Sequence, residues 1–178
     1  MNKKYIIAGL VCAMFSFNSC KHDADEGEPE LGAGMIRMDL TPVGIPATID
    51  IPDTTKLPHT IEALPSGDIH VSVNKGFNML INVSGMDMDR KKKDIAGNDV
   101  DKFQSWVVQD STAILYKTQM VNEEFHFYSI VRKGGKTFYA YDQTQGSDGN
   151  VTNFNQAQAQ AMLDAAKTLH PLKPAAKS

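Results

Sequence analysis

The sequence predicts an α+β domain, a mainly antiparallel sheet with helices packed on one face. Three observations carry that expectation. Glu123–Arg132 and Lys136–Tyr141 alternate in character on either side of Gly134-Gly135, a hairpin turn. Ile69, Val71 and Val73 share one side of a strand, and after Asn74-Lys75-Gly76 the residues Phe77, Met79, Ile81 and Val83 share one side of the next. Ala159, Met162, Leu163, Ala166 and Leu169 then recur at helical spacing near the end of the chain.

The elements follow in order. Met35–Leu40 reads as a strand, and Pro42, Gly44 and Pro46 interrupt it because proline cannot donate to a ladder. Ala47–Ile51 is a second strand, ended by Pro52. Residues 53–68 read as irregular, punctuated by Pro58, Pro65 and Gly67, before the Ile69–Val83 hairpin. Met86–Gly97 is highly charged and fits either a loop or a poor helix. Asn98 or Asp99 would cap a helix carrying Val100, Phe103, Trp106 and Val107 on one face and ending near Gln109. Thr112–Thr118 is a strand that leads into the Glu123–Tyr141 hairpin. That hairpin carries apolar groups on both sides, as a central or covered pair does. Gln143–Asn153 is a loop, Asn155 caps the closing helix, and Pro171 follows its end. No internal repeat or interior linker divides residues 35–170, so one domain is expected there, with 171–178 as a loose tail.

The first twenty residues have a different character. Met1-Asn2-Lys3-Lys4 is short and positive, Tyr5–Phe17 is apolar, and Asn18-Ser19-Cys20 closes the segment. This is the layout of an export signal. The apolar run is shorter than the ~20 residues a membrane-spanning helix needs. The segment resembles the signal of a bacterial lipoprotein, specifically the relaxed type of exported Bacteroidota lipoproteins. Phe17 and Asn18 depart from the usual Leu and small residue, and Ser19 conforms. By that resemblance residues 1–19 are removed and Cys20 carries acyl chains such as palmitate. It also implies a cell-envelope location at the outer membrane, on its periplasmic or its surface side. Two or more acyl chains give a stable anchor where one does not. Residues 20–34 are acidic, glycine-bearing and too polar to pack, so they read as a tether, and they also resemble the export tags of surface lipoproteins in that lineage.

Charge and cysteine content exclude several classes. The chain has a net charge of -3, and because Lys3 and Lys4 lie in the signal the remainder carries -5. That balance argues against a nucleic-acid partner, which needs a basic face for phosphates. Of the two cysteines, Cys12 lies in the signal and Cys20 would be acylated. The domain then has no thiol for a disulfide, a thiolate metal site or a nucleophile.

No catalytic constellation or cofactor motif is legible, and none is expected. His22, His59, His70, His126 and His170 show no metal-ligand spacing. Asp87 and Asp89 alternate like calcium ligands, but Arg90–Lys93 stands where further oxygens belong. That basic run would otherwise touch anionic lipid or a partner, or form a solvated face. Asp148-Gly149-Asn150 is turn chemistry. Gly134-Gly135-Lys136 lacks the glycine-rich lead of a phosphate loop. Trp106, Tyr139, Tyr141 and His126 are the candidate recognition surface, since aromatic groups are frequent in binding sites; the plainer reading of the rings is core, with Trp106 an anchor against the sheet. Asp53-Thr54-Thr55 and Asp110-Ser111-Thr112 resemble the acceptor pattern for O-glycosylation in exported Bacteroidota proteins, which places sugar on Thr54 and Ser111.

The order of elements and the Ala-rich closing helix resemble, at fold level only, the Mog1/PsbP-like group over residues 45–170, a resemblance that implies no activity. The expected function is a non-catalytic, lipid-anchored envelope protein that binds a small ligand or another envelope protein. Two alternatives stand beside it. One is a small hydrolase or metal-assisted enzyme using His70 or His126 with a nearby carboxylate. The other is a structural subunit of an envelope assembly.

Overall fold

The computed structural model describes residues 30–145 and 151–173. Cys20, the signal, most of the tether, and Asp148-Gly149-Asn150 lie outside the described residues.

Among the described residues, ten strands form two antiparallel sheets, accompanied by two α-helices. The smaller sheet pairs β1 (Met35–Asp39), β2 (Ala47–Pro52) and β10 (His170–Pro171) in the order β1-β2-β10. The larger has seven strands: β3 (His59–Ala63), β4 (Ile69–Val73), β5 (Phe77–Asn82), β6 (Lys102–Gln109), β7 (Ala113–Gln119), β8 (Glu123–Lys133) and β9 (Lys136–Asp142). Their order is β3-β4-β5-β9-β8-β7-β6. Two meanders, β3-β4-β5 and β6-β7-β8-β9, therefore meet at the β5–β9 seam. Tight turns make these hairpins. Asn74 adopts φ 54° before Gly76, and Gly134 and Gly135 adopt φ 53° and 71°, values that glycine reaches without steric cost.

Alternation along the strands gives the large sheet two different sides. One side carries Val71, Met79, Leu115, Phe127, Phe138 and Ala140, buried in one cluster with Ile49 and Ile51 of β2. Helix α2 (Gln156–Lys167) closes that cluster. Ala159, Met162, Leu163 and Ala166, together with Leu169 just beyond the helix, are fully buried, the stripe the spacing predicts. Asn155 caps the helix reciprocally: its side chain accepts from Gln158 N–H, and its own N–H donates to the Gln158 side chain.

The other side is crossed by α1 (Met88–Ala96), which lies in the connection from β5 to the far edge strand β6. Its Met88 and Ile95 pack with Ile114, Tyr128 and Ile130. On β7 and β8, Ile114 and Tyr128 alternate with Leu115 and Phe127 of the first cluster, so α1 and α2 lie against opposite sides of the sheet. Helices on a single face, as the sequence suggested, are not what the packing gives. The periodicity of each helix shows that it has a buried stripe, but not which side of the sheet receives it.

Three further expectations are corrected. Residues 100–109 do not form a helix; Lys102–Gln109 is edge strand β6. The helical spacing of Phe103 and Trp106 comes from a β-bulge. Phe103 pairs with Thr118 and Trp106 with Tyr116, so three steps on β6 match two on β7 and both rings keep one face. Within the stretch expected to be irregular, His59–Ala63 forms edge strand β3. Ile61 alone of its side chains packs on the core, which leaves little periodic signal. Pro171 and Leu172 are not loose: Pro171 pairs with Ala47, and Leu172 N–H donates to Pro46 O. The ambiguous charged segment is helix α1, capped by Asp87, whose side chain accepts from Arg90 N–H at 3.0 Å.

Candidate functional site

The side of the large sheet crossed by α1 holds the groups with the richest chemistry. Cross-strand register sets them in rows. Glu62, His70, Leu80, Tyr141, Tyr128 and Ile114 are successive partners across β3, β4, β5, β9, β8 and β7. His126, Tyr116 and Trp106 form a parallel row across β8, β7 and β6.

The second row is aromatic and reaches the sheet edge. Ring centroids lie 4.5 Å apart for Phe103 and Trp106, 5.9 Å for Trp106 and Tyr116, and 5.3 Å for Tyr116 and His126. Tyr139 and Tyr141 flank Tyr128 at 6.4 and 6.2 Å. Phe103, Trp106, Tyr116, Tyr139 and Tyr141 are each only partly buried. Tyr128 is buried and donates to Met86 O at 2.5 Å, with Lys91 Nζ 5.2 Å from its ring centroid. Burial pushes the Tyr128 hydroxyl up to about 12, against the lowering effect of that bond.

Two polar networks frame the rings. At the β4–β5 end, Asp68 accepts from Ser66 (2.6 Å), Asn82 (2.7 Å) and Tyr141 (2.9 Å). Burial would raise the Asp68 pKa, but these three donors outweigh it and hold the carboxyl below its ordinary value. The Tyr141 hydroxyl is raised by burial and by its bond to that anion. His70 lies two residues on from Asp68, with Nδ1 3.2 Å from Glu62 and Nε2 on Asn78 Oδ1. Asn78 Nδ2 donates to Gln143 O, which fixes the amide so that its oxygen meets the imidazole.

The second network surrounds His126. Its Nδ1 donates to Asp142 Oδ2 at 2.7 Å, and Asp142 Oδ1 accepts from Phe127 N–H. Its Nε2 lies 3.1 Å from Thr118 Oγ1, 3.6 Å from Asp101 and 3.8 Å from Glu124. Burial alone would lower the His126 pKa. The hydrogen bond to Asp142 and the charges of Asp142, Asp101 and Glu124 outweigh it and hold the imidazole above its ordinary value. Burial, and then the charges of Asp142 and Asp101, push the Tyr116 hydroxyl far up.

Thr118, His126 and Asp142 are spaced as a nucleophile, base and orienting acid would be. Their surroundings do not suit that chemistry. Thr118 is 1 % exposed, which leaves a substrate no approach. Asp101 and Glu124 place negative charge where an oxyanion would need donors. A raised imidazole pKa also disfavours a neutral general base.

Of the residues singled out from the sequence, Trp106, His126, Tyr139 and Tyr141 all lie on this side of the sheet. His70 shares the side, but two strands separate β4 from β8, so the two histidines stand at least about 14 Å apart at ~4.8 Å per strand. Among the described residues, no group of three or more His, Asp or Glu is placed to hold a metal ion. Asp87 serves as the α1 cap and Asp89 sits in its first turn. Of the basic run, Lys92 Nζ donates to Asp110 O. In Asp53-Thr54-Thr55 and Asp110-Ser111-Thr112 the aspartates close turns on Thr55 N–H, and on Thr112 and Ala113 N–H. Ser111 is exposed and Thr54 half-buried. The sequence reading missed Asp68, Asp101, Thr118, Glu124 and Asp142, whose roles come from neighbours on other strands and leave no local signal.

No family model, curated protein or solved structure matches the chain.

Proposed function

We propose that this is a lipid-anchored domain of the bacterial cell envelope, held through acyl chains on Cys20, that binds a ligand or protein partner rather than transforming it. One observation carries the binding half of that reading. Five partly exposed rings, Phe103, Trp106, Tyr116, Tyr139 and Tyr141, share one side of the large sheet with the carboxylates of Asp68, Asp101 and Glu124. Rings supply large contact area at low entropic cost, and carboxylates accept hydrogen bonds. Together they suit a ligand that presents an apolar face edged by donors. The anchor half rests on the Lys3–Cys20 segment alone, and sugar on Thr54 or Ser111 rests on their tripeptides alone. The enzymatic alternative is disfavoured by the burial of Thr118 and the acids around His126. The assembly-subunit alternative would use the same face with a protein partner.

The chain contains one tryptophan, and it stands on this face, so Trp106 emission is a built-in reporter. The full chain titrated with neutral oligosaccharides and short peptides should show at least one probe that shifts that emission. Trp106→Ala should then weaken binding of that probe, measured by calorimetry, by tenfold or more, as loss of an aromatic anchor does. A ligand that binds without disturbing Trp106 and tolerates the substitution would place recognition elsewhere.

A further inference from the structure

We propose that His126 is a proton-operated clasp that fastens the start of edge strand β6 to the body of the large sheet. Strand β6 pairs with β7 only, and its start is poorly covered, with Val100 70 % exposed. What ties it inward is Asp101. One oxygen of that carboxylate is buried without a hydrogen-bond partner, and the other lies 3.6 Å from His126 Nε2. The imidazole is reached from every strand around it: Asp101 at the start of β6, Tyr116 and Thr118 on β7, Glu124 on β8 itself, and Asp142 on β9. Three of these are carboxylates, and His126 is the cation set against all three.

Protonated, His126 donates from Nδ1 to Asp142, and its positive Nε2 side faces Asp101 and Glu124. Neutral, with the Nδ1 proton retained by Asp142, Nε2 presents a lone pair to those same two acids. Asp101 then has a buried oxygen, no counter-charge and a like-charged neighbour, an arrangement that burial makes costly. The relief available is outward movement of the β6 start. Phe103 and Trp106 follow Asp101 on that strand, so the outer rungs of the aromatic row loosen with it.

The sign follows from the direction of the shift. His126 holds its proton more tightly folded than unfolded. The clasp is therefore fully closed below the ordinary imidazole value of about 6.5, and it is lost as pH rises through the folded pKa. Ionisation of Tyr116, Tyr128 and Tyr141 does not intrude, because all three are raised above their ordinary value.

The test uses the full chain without ligand, so it does not depend on what the face binds. Trp106 emission and hydrogen exchange of the 100–109 amides, corrected for intrinsic rates, are followed from pH 5.5 to 9. The expected result is a single step with a midpoint above about 6.5. Protection of β6 should fall about tenfold for each pH unit between the folded and unfolded pKa values, while protection of β5 stays level. Asp101→Asn keeps the imidazole and should abolish the step and lower the His126 midpoint read from its ring NMR signals. His126→Gln should leave β6 open at every pH. A flat profile in the unaltered chain, or an unchanged step in Asp101→Asn, overturns the clasp. If His126→Gln does not fold, Asp101→Asn and the ring titration still decide.

Discussion

The two sides of the seven-stranded sheet share the same strands and divide the labour. The side under α2 and the small sheet is aliphatic and phenylalanine-rich, with Met79, Leu115, Phe127, Phe138, Met162 and Leu163 all at 1 % exposure or less. The side under α1 alternates rings with acids and histidines, and most of its rings are only half covered. A nine-residue helix supplying two buried apolar residues cannot dry such a face. The contrast separates the side that holds the fold together from the side proposed for recognition. Close-packed apolar groups supply stability, and a partly wet aromatic face is free to supply recognition.

The largest expected effect tests that contrast directly. Phe127→Ala opens a cavity in the dry cluster and should cost about 3–5 kcal/mol. Trp106→Ala removes a larger ring from the edge of the other face and should cost only about 1–2 kcal/mol. Urea unfolding of both variants measures the difference. Equal losses would make the α1 side a second core and remove the basis for reading it as a recognition surface.

A smaller effect probes how the α1 side is built. Gly85 follows β5 and leads toward α1, and a Cβ there would lie 2.4 Å from Tyr139 Cγ and 2.5 Å from its Cδ1. Gly85→Ala therefore forces the Tyr139 ring or the backbone to shift, at a cost of about 1–3 kcal/mol. The same urea series measures it, and near-ultraviolet circular dichroism should show the tyrosine environment altered. A neutral result would mean that this face is loose enough to absorb a methyl group, unlike the packed side.

That difference in packing also decided what the sequence disclosed. Strands β4, β5, β8 and β9 and helix α2 were legible because each turns a regular apolar stripe toward the dry cluster. Strand β3 was not, since an edge strand with one core contact, Ile61, carries almost no periodicity. Strand β6 was misread for a more instructive reason. Its bulges place Phe103 and Trp106 three residues apart on one face, then turn Val108 to the other face opposite Leu115. Spacing alone cannot separate that from a helical turn. Of the face proposed for recognition, only part is marked in the sequence. Trp106, Tyr139, Tyr141 and His126 stand out by residue type. Asp101, Glu124 and Asp142 acquire meaning only because β6, β8 and β9 bring them to one imidazole.

The smallest effect should come from the lid of the dry side. Asn155 is exposed, so its replacement disturbs no core contact; it acts only through the reciprocal bonds with Gln158, at 3.0 and 2.9 Å. Asn155→Ala leaves the Gln158 N–H without its side-chain acceptor and should cost about 1 kcal/mol, while Asn155→Asp should recover most of it. The loss should stay local. Phe154 is buried one residue upstream and its carbonyl accepts from Phe125 N–H, and Ala159 and Met162 are fully buried downstream. Hydrogen exchange should therefore rise at residues 156–158 and remain unchanged from Met162 onward. Exchange that rises along all of α2 would mean that the cap, rather than the buried stripe, holds the helix on the sheet, and the dry side would then be less secure than its packing implies.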